Sequence, residues 1–480
     1  MTEIITDWTR EERYRPYQEW ESDKDYIKLL KKTVKGSKWR NHFHLDPETG
    51  LLNDPNGFSY FNGKWHLFYQ AFPYGASHGL KSWAKATSDD LVHWQYEGLT
   101  LLPDSPLDSH GVYSGSALEI DDQLFLFYTG NVRNENWERF AFQNGAWLSK
   151  DGEITKLEQP LIDHPAGYTD HFRDPMIFEY QSELYMVIGA QDLAENGHVL
   201  LYKAENKDIK QFKLLNQLKF TDKALGFMVE CPNLVFINQK PVLLFCPQGL
   251  SKNDLSYQNI FPNTYVTAES FNPEKAELVN PSEIYDLDEG FDVYATQAFN
   301  APDGRVLSVS WIGLPDISYP TDAEGWASTL SLVKELTLVD GKLHQYPVKE
   351  MLSCRQEIIE TPKNNSYEAE FKIAANQSAE INFYASKTNG LKLSITNNGI
   401  ITLDRSRAGQ TFAEAFGTTR SVQVNANKEI IINAFVDQSV IEIFINNGEK
   451  VLTARVFPAE DQTGLEFKGI QTKTIYKLGL

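Results

Sequence analysis

"NGKWHLFYQA", residues 62–71, sets an Asn-Gly pair before a run rich in apolar and aromatic residues. Asn-Gly in this position favours a two-residue hairpin turn, because both central residues of such a turn need positive φ. The arrangement returns in "DDQLFLFYTG" at 121, "QSELYMVIGA" at 181, "NQKPVLLFCP" at 238 and "DGRVLSVSWI" at 303. The copies recur at intervals of about 60 residues, and a fixed period of strands implies a radial or stacked array. Five copies predict five blades.

Between the copies lie short β-rich runs such as "GVYSGSALEI" and "HVLLYKAENKDIKQF", divided by Gly, Pro, Asn and Asp turns and without a long helical period. An all-β propeller is therefore expected rather than a βα barrel, with a sandwich of unrelated hairpins as the alternative. Past about residue 346 the pattern becomes regular alternation, as in "SYEAEFKIAA" and "DQSVIEIFINNG", which predicts a β-sandwich. The expected division is an N-terminal charged, helical cover over 1–35, a five-bladed β-propeller over 36–345, a linker or short helix over 346–361, and a β-sandwich over 362–480.

A chain of 480 residues with a net charge of −20 offers no basic footprint for nucleic acid or an anionic membrane. No apolar run has the length of a signal peptide core or a membrane span, which reads as a cytoplasmic protein. Cys231, Cys246 and Cys354 lack the paired spacing of a zinc site, so reduced thiols are expected.

In a propeller the innermost strand of each blade comes first and starts near the axis, so residues ahead of each repeat converge. Those positions hold Asp54 in "NDPNG", Tyr113-Ser114 in "YSGS", Asp174 in "FRDP", Glu230 in "VECP" and Ala295 in "VYATQ". Singly, "NDPNG" reads as a turn, "RDP" as an ion pair that orders a loop, Glu230 as an exposed strand end and Cys231 as a small core residue. Jointly the acids read as three carboxylates in one register, and converging acids repel one another unless something uses them.

Three such carboxylates, without the His/Cys/Asp pattern of a transition-metal site, suit glycoside hydrolysis and call for no metal or cofactor. One acid must stay ionised and another must carry a proton, and repulsion separates their pKa values so that the more buried keeps its proton near neutral pH. A calcium site is the alternative, although such sites draw several oxygens from one loop.

At these residues the sequence resembles glycoside hydrolase family 32, the β-fructofuranosidases, from about residue 40 to the C-terminus. The likeness rests on "NDPNG", "FYQ", "SWAKATSDDLVHW", "YSGSA", "FRDP", "ECPNL", "DVYATQAF", "GWASTLSLVKEL" and "DQSVIEIFINNGEKVLTARVFP". The resemblance implies a five-bladed propeller followed by a sandwich. It implies Asp54 as nucleophile, Glu230 as general acid/base and Asp174 as a fixed carboxylate that steadies the transition state. Asn53, Gln70, Trp83, Ser114 and Arg173 would line the fructosyl pocket, with Tyr294 and Gln297 closing its far side. The tight "NDPNG" geometry would hold the nucleophile at the axis.

The implied reaction is retaining hydrolysis of sucrose 6-phosphate to glucose 6-phosphate and fructose, which requires the Asp54 and Glu230 carboxyls about 5 Å apart. Cys231 is placed beside Glu230, where it would help to set that acid's proton affinity. The chain departs from the family at Leu51-Leu52, where Trp-Met is common, at "FYQAFP", and at "WAKA", which replaces Trp-Gly-His-Ala and adds Lys85. These changes bear on the leaving-group side.

A dianionic substrate entering so acidic a protein needs local cations, and Lys81, Lys85, Arg133 and Arg139 are the candidates. Trp83, Trp137 and Trp326 are candidates for stacking on sugar faces or for the core. Competing readings are an invertase or short-fructan hydrolase, a fructosyltransferase, and a non-catalytic carbohydrate-binding propeller. The sandwich is expected to lack a convergent polar set, to close the propeller's flank and to offer a contact for a homodimer.

Overall fold

Each repeated stretch forms the second strand of its own antiparallel sheet: Lys64–Phe72, Gln123–Arg133, Glu183–Asp192, Lys240–Gln248 and Val306–Ile312. The turns ahead of them have the backbone the dipeptides called for. Both central residues lie at positive φ in Asn62-Gly63, Asp121-Asp122, Gln181-Ser182 and Asn238-Gln239, and Gly304 does so in the fifth. The computed structural model describes residues 3–479, whose regular structure is mostly strand with a few short helices. Among the described residues no helix is long and apolar enough to cross a membrane.

The strands that open these sheets, Gly50–Phe61, Val112–Ile120, Tyr168–Tyr180, Met228–Ile237 and Val293–Asn300, pack against one another in a closed circuit, the last returning to the first. Trp326–Ala327, which follows the fifth hairpin, pairs in parallel with Gly50 and Leu51 and so ties the end of the circuit to its beginning.

One local feature recurs in all five opening strands. Each carries one extra residue opposite its partner: between Leu52 and Pro55, Val112 and Gly115, Arg173 and Met176, Glu230 and Asn233, and Tyr294 and Gln297. A bulge of this kind bends the strand and re-aims side chains. Asp174, Cys231 and Ala295 take left-handed φ values of 67°, 49° and 49° within it.

"NDPNG" is therefore not the turn the sequence suggested. It lies inside one continuous strand, Gly50–Phe61, with a second irregularity between Asn56 and Ser59. Pro55 is tolerated because the strand's other edge is paired only at Gly50 and Leu51, so a missing N–H breaks no ladder bond there. Gly57, at φ 54°, has no room for a side chain: a Cβ would lie 2.7 Å from the Phe68 ring.

The C-terminal part consists of a six-stranded and a five-stranded antiparallel sheet. Their apolar faces bury Phe371, Phe383, Leu393, Leu403, Ile432 and Ile443. Buried polar contacts join it to the first five sheets. Asp437 accepts backbone N–H bonds from His42, Phe43 and His44, and Glu442 pairs with Lys334 at 2.9 Å. Asp292 pairs with Arg405 at 2.8 Å.

Near the N-terminus are the helices Arg10–Arg13, Tyr17–Ser22 and Lys24–Lys35. The last starts at Asp23, whose carboxylate accepts the Tyr26 N–H at 3.1 Å, and buries Tyr26, Leu30 and Val34, spaced four apart along one face. The second and third helices pack with Tyr74, in the turn after Phe72, and with Trp326 of the first sheet.

Candidate active site

The bulges bring together what the sequence keeps apart. A cavity of about 320 Å³ at the head of the circuit is lined by Asn53, Asp54, Gln70, Lys81, Arg139, Arg173, Asp174, Glu230 and Tyr294. Asp54, Asp174 and Glu230 come from three different sheets. They do not share one register, as the sequence had suggested. Glu230 is the last paired residue before its bulge, Asp174 the first bulged residue and Asp54 the second, so the acids step across the irregularity.

Asp54 is held from both sides. Asn53 Nδ2 donates to its Oδ1 at 3.0 Å, while Ser114 Oγ donates to Oδ2 at 2.5 Å and Gln70 Nε2 at 3.3 Å. Gln70 stands opposite the Asn53-Asp54 bulge, which explains its reach to both. Burial pushes the Asp54 carboxyl up. The Ser114 bond opposes this, the Glu230 charge adds to it, and the Asn53 bond and Lys81 charge oppose it again.

Asp174 is buried, and its Oδ2 accepts the Cys231 N–H at 2.9 Å. Burial pushes its carboxyl up to about 7, resisted by Arg173 and reinforced by Glu230 and Asp54. The Cys231 thiol lies 3.8 Å from Asp54 Oδ2 and 3.6 Å from Asp174 Oδ2, so it sits between those two acids. Burial and its acidic neighbours hold this thiol well above its ordinary range, which leaves it unreactive.

Four donor bonds surround Glu230. Arg173 Nε and Nη2 reach Oε1 at 3.0 and 2.8 Å, while Gln248 Nε2 and Tyr294 OH reach Oε2 at 2.8 and 2.7 Å. This shell fixes the carboxylate's direction. Among the described residues no group of three or more His, Cys, Asp and Glu side chains has an arrangement for a metal ion.

Other sequence candidates take different places. Trp83 is fully buried and donates to Tyr113 O at 3.0 Å, and Trp326 is also fully buried. Gln297 accepts the Phe58 N–H and donates to Gly115 O, both at 2.7 Å, which braces neighbouring opening strands. Lys81 is buried and donates to Asn53 Oδ1, with burial bringing its ammonium down to about 7 against the pull of Asp54. Lys85 pairs with Glu97 at 2.7 Å, and neither Lys85 nor Arg133 lines the cavity. Leu51 and Leu52 are buried.

Tyr113, one of the converging positions, stands on the cavity wall, whereas sequence reasoning missed Gln248, Trp311, His78 and Tyr14 there, and His171 just behind it. Gln248 and Trp311 had a readable signal, since each lies near the end of a repeated strand, as Gln70 does. Tyr14 comes from the N-terminal segment and had none. The sandwich was expected to lack convergent polar groups, yet a hollow of about 550 Å³ on its five-stranded sheet gathers Glu380, Asn382, Lys392, Asp404, Arg407 and Lys468. The strands' outward alternation delivers them there, and Glu380 pairs with Lys392 and Lys468 at 3.3 and 2.9 Å.

A polar cavity with three converging carboxylates, set at the head of a ring of antiparallel sheets, defines a glycosidase. Comparison with known proteins agrees. Models of the glycosyl hydrolases family 32 N-terminal domain and C-terminal domain match residues 44–347 and 339–477. The chain belongs to glycosyl hydrolases family 32.

Among its relatives is a sucrose-6-phosphate hydrolase of Streptococcus mutans, 54% identical over 95% of this chain and 96% of that protein. Another of the same name, from Pediococcus pentosaceus, is 48% identical over 98% and 96%. The solved sucrose-6-phosphate hydrolase of Lactobacillus gasseri superposes with a TM-score of 0.94 at 40% identity, covering 98% of this chain and 99% of that one. A Bombyx mori β-fructofuranosidase of the family gives 0.82 at 28% identity, with 95% and 98% covered.

Proposed function

We propose that this protein hydrolyses sucrose 6-phosphate to glucose 6-phosphate and fructose with retention at the anomeric carbon. The observation that carries the reading is the cavity itself, in which acids from three sheets meet, taken with relatives of that name at 48 to 54% identity. Glu230 gives its proton to the bridging oxygen as the bond to C2 breaks, and positive charge spreads to the ring oxygen. Asp54, oriented by Asn53, Gln70 and Ser114, closes on C2 to form a fructosyl ester. Glu230 then takes a proton from water, and the ester opens to fructose.

Asp174 accepts bonds from fructose hydroxyls and steadies the cationic transition state. Asn53, Gln70, Arg173 and Tyr294 border the sugar, while Trp83 and Gln297 support the strands that carry them. Separation of the Asp54 and Glu230 carboxyls by about 5 Å belongs to this reading.

The closed circuit of five opening strands supports a five-bladed propeller over 36–345. Helices over 10–35 and the short helix at Lys349–Cys354 support the remaining division, with a cover over 1–35, a linker over 346–361 and a sandwich over 362–480. A phosphorylated sugar as substrate is consistent with a cytoplasmic enzyme.

The test is a substrate panel with anomer detection by NMR. Release of β-fructofuranose from sucrose 6-phosphate, at a kcat/KM well above that for sucrose, is expected. Equal efficiency on the two sugars, or inversion at C2, would overturn the assignment.

A further inference from the structure

The cavity that gathers three acids has cations at another part of its wall. Arg133 and Arg139 stand directly opposite each other across a hairpin, a like-charge pair that by itself costs stability. Among the described residues neither has a carboxylate within 4.0 Å, whereas Arg173, Arg305, Arg355 and Arg405 each do. Asp316, also on the cavity wall, lies beyond ion-pair distance of both.

Arg139 lines the cavity. Arg133 donates to Trp137 O at 3.1 Å and keeps its Nε buried without a partner. Arg10 lies 4.7 Å from the Trp137 ring centre and Arg133 lies 5.6 Å from it, so two guanidiniums share that indole. In a chain of net charge −20, a trio of arginines without a neutralising acid is a place prepared for an anion from outside.

The position of the trio says which part of the substrate it would meet. His171 Nδ1 lies 3.2 Å from Arg139 Nη1 and 3.1 Å from Arg173 Nη1, and both can donate to it only when that nitrogen is unprotonated. Burial, Arg173 and Arg139 bring the imidazole down to about 4, in agreement. Arg139 is thus one imidazole away from Arg173, which binds Glu230. Glu230 faces the bridging oxygen in the reaction above, so the leaving hexose lies beyond it.

We propose that Arg139, backed by Arg133 and Arg10, forms the subsite for the 6-phosphate of the leaving hexose, an assignment that rests on the sucrose 6-phosphate reading. Lys81 and Lys85 take no part, being engaged with Asn53 and Glu97. A guanidinium fork fits two phosphate oxygens at once, which a lysine does not.

The experiment has two arms, each on the full-length protein with Arg139→Gln and Arg139→Lys. The first compares kcat/KM on sucrose 6-phosphate with that on sucrose. The second measures competitive inhibition by glucose 6-phosphate and by glucose. Arg139→Gln is expected to lower the kcat/KM ratio and raise the glucose 6-phosphate inhibition constant, each by about tenfold or more, in line with loss of charge-assisted hydrogen bonds. Arg139→Lys should fall between Arg139→Gln and the parent.

Glucose 6-phosphate inhibiting Arg139→Gln as strongly as the parent would overturn the subsite. Equal parental turnover of the two sugars would instead strike at the substrate reading. In that case the inhibition arm still decides whether Arg139 binds phosphate.

Discussion

Ser114 Oγ donates to Asp54 Oδ2 at 2.5 Å, across two sheets and 60 residues of chain. The bond counts because burial and the Glu230 charge both push the Asp54 carboxyl up, while a nucleophile must be ionised. Ser114 also accepts from Gln70 Nε2 at 2.5 Å, so its hydroxyl proton is left to point at Asp54.

Removing that donor should therefore raise the Asp54 carboxyl further. In Ser114→Ala, the acid limb of the kcat/KM profile is expected to move to higher pH, with a loss of about tenfold at pH 6 from a charge-assisted bond. The pH profile is the check: a uniform loss with an unmoved acid limb would mean that Ser114 only fills space.

The proposed roles of the two reacting acids separate by leaving group. Asp54→Asn and Glu230→Gln should each lose about 10³-fold or more on sucrose 6-phosphate while keeping the parental circular dichroism spectrum. An aryl β-fructofuranoside with an acidic phenol needs little protonation, so bond cleavage in Glu230→Gln should recover much of its rate on that substrate. Asp54→Asn should recover none. Recovery by Asp54→Asn, and not by Glu230→Gln, would reverse the roles.

Much of this was legible in the sequence because it is written in dipeptides. Asn62-Gly63 and Asp121-Asp122 mark hairpins by residue type, and even Gln181-Ser182 was found through the apolar strand behind it. The bulges were not legible. A bulge is one residue too many relative to a partner strand, so it exists only in the pairing, and "NDPNG" has the residue types of a turn although its chain continues as a strand. For the same reason the acids were placed in one register when they occupy three adjacent positions. Ser114, Gln70 and Arg173 followed from motifs, whereas Tyr14 and His171 touch the site through tertiary packing that no repeat announces.

Asp174 carries a cost that its removal should reveal. A carboxyl brought up to about 7 in the fold, against about 3.8 when exposed, makes the folded state less stable once ionised, at pH above both values. Asp174→Asn should then melt at a higher temperature than the parent at pH 8, with the difference closing as pH falls to 4, and should lose most turnover. A lower melting point at pH 8 would show that the carboxylate's bond with Cys231 N–H outweighs its desolvation.

The junction between the sheets of the cavity and the sandwich makes a pH prediction of the opposite sign. His44 Nδ1 lies 3.0 Å from Asp437 and Nε2 lies 3.1 Å from Glu442, all three fully buried at the side chain. Burial disfavours the imidazolium, but the bonds to the two acids win and bring His44 up to about 9. A group whose proton is held more tightly in the fold stabilises fully below its unfolded pKa, near 6.5, and this contribution is lost as pH rises through 9.

Glu442 loses its share in a different range. Burial opposes ionisation of Glu442, yet Lys334 and His44 bring it down to about 2, so its contribution holds above about 4.5 and fades only in strong acid. Between pH 6.5 and 9 the dependence therefore belongs to His44. In His44→Gln, the melting temperature at pH 6 should fall well below the parent, since breaking a buried pair costs about 3–5 kcal/mol. The deficit should shrink as pH approaches 9.5, where the parental imidazole is neutral. A deficit of the same size at pH 6 and pH 9.5 would show that His44 holds the junction by shape and not by charge.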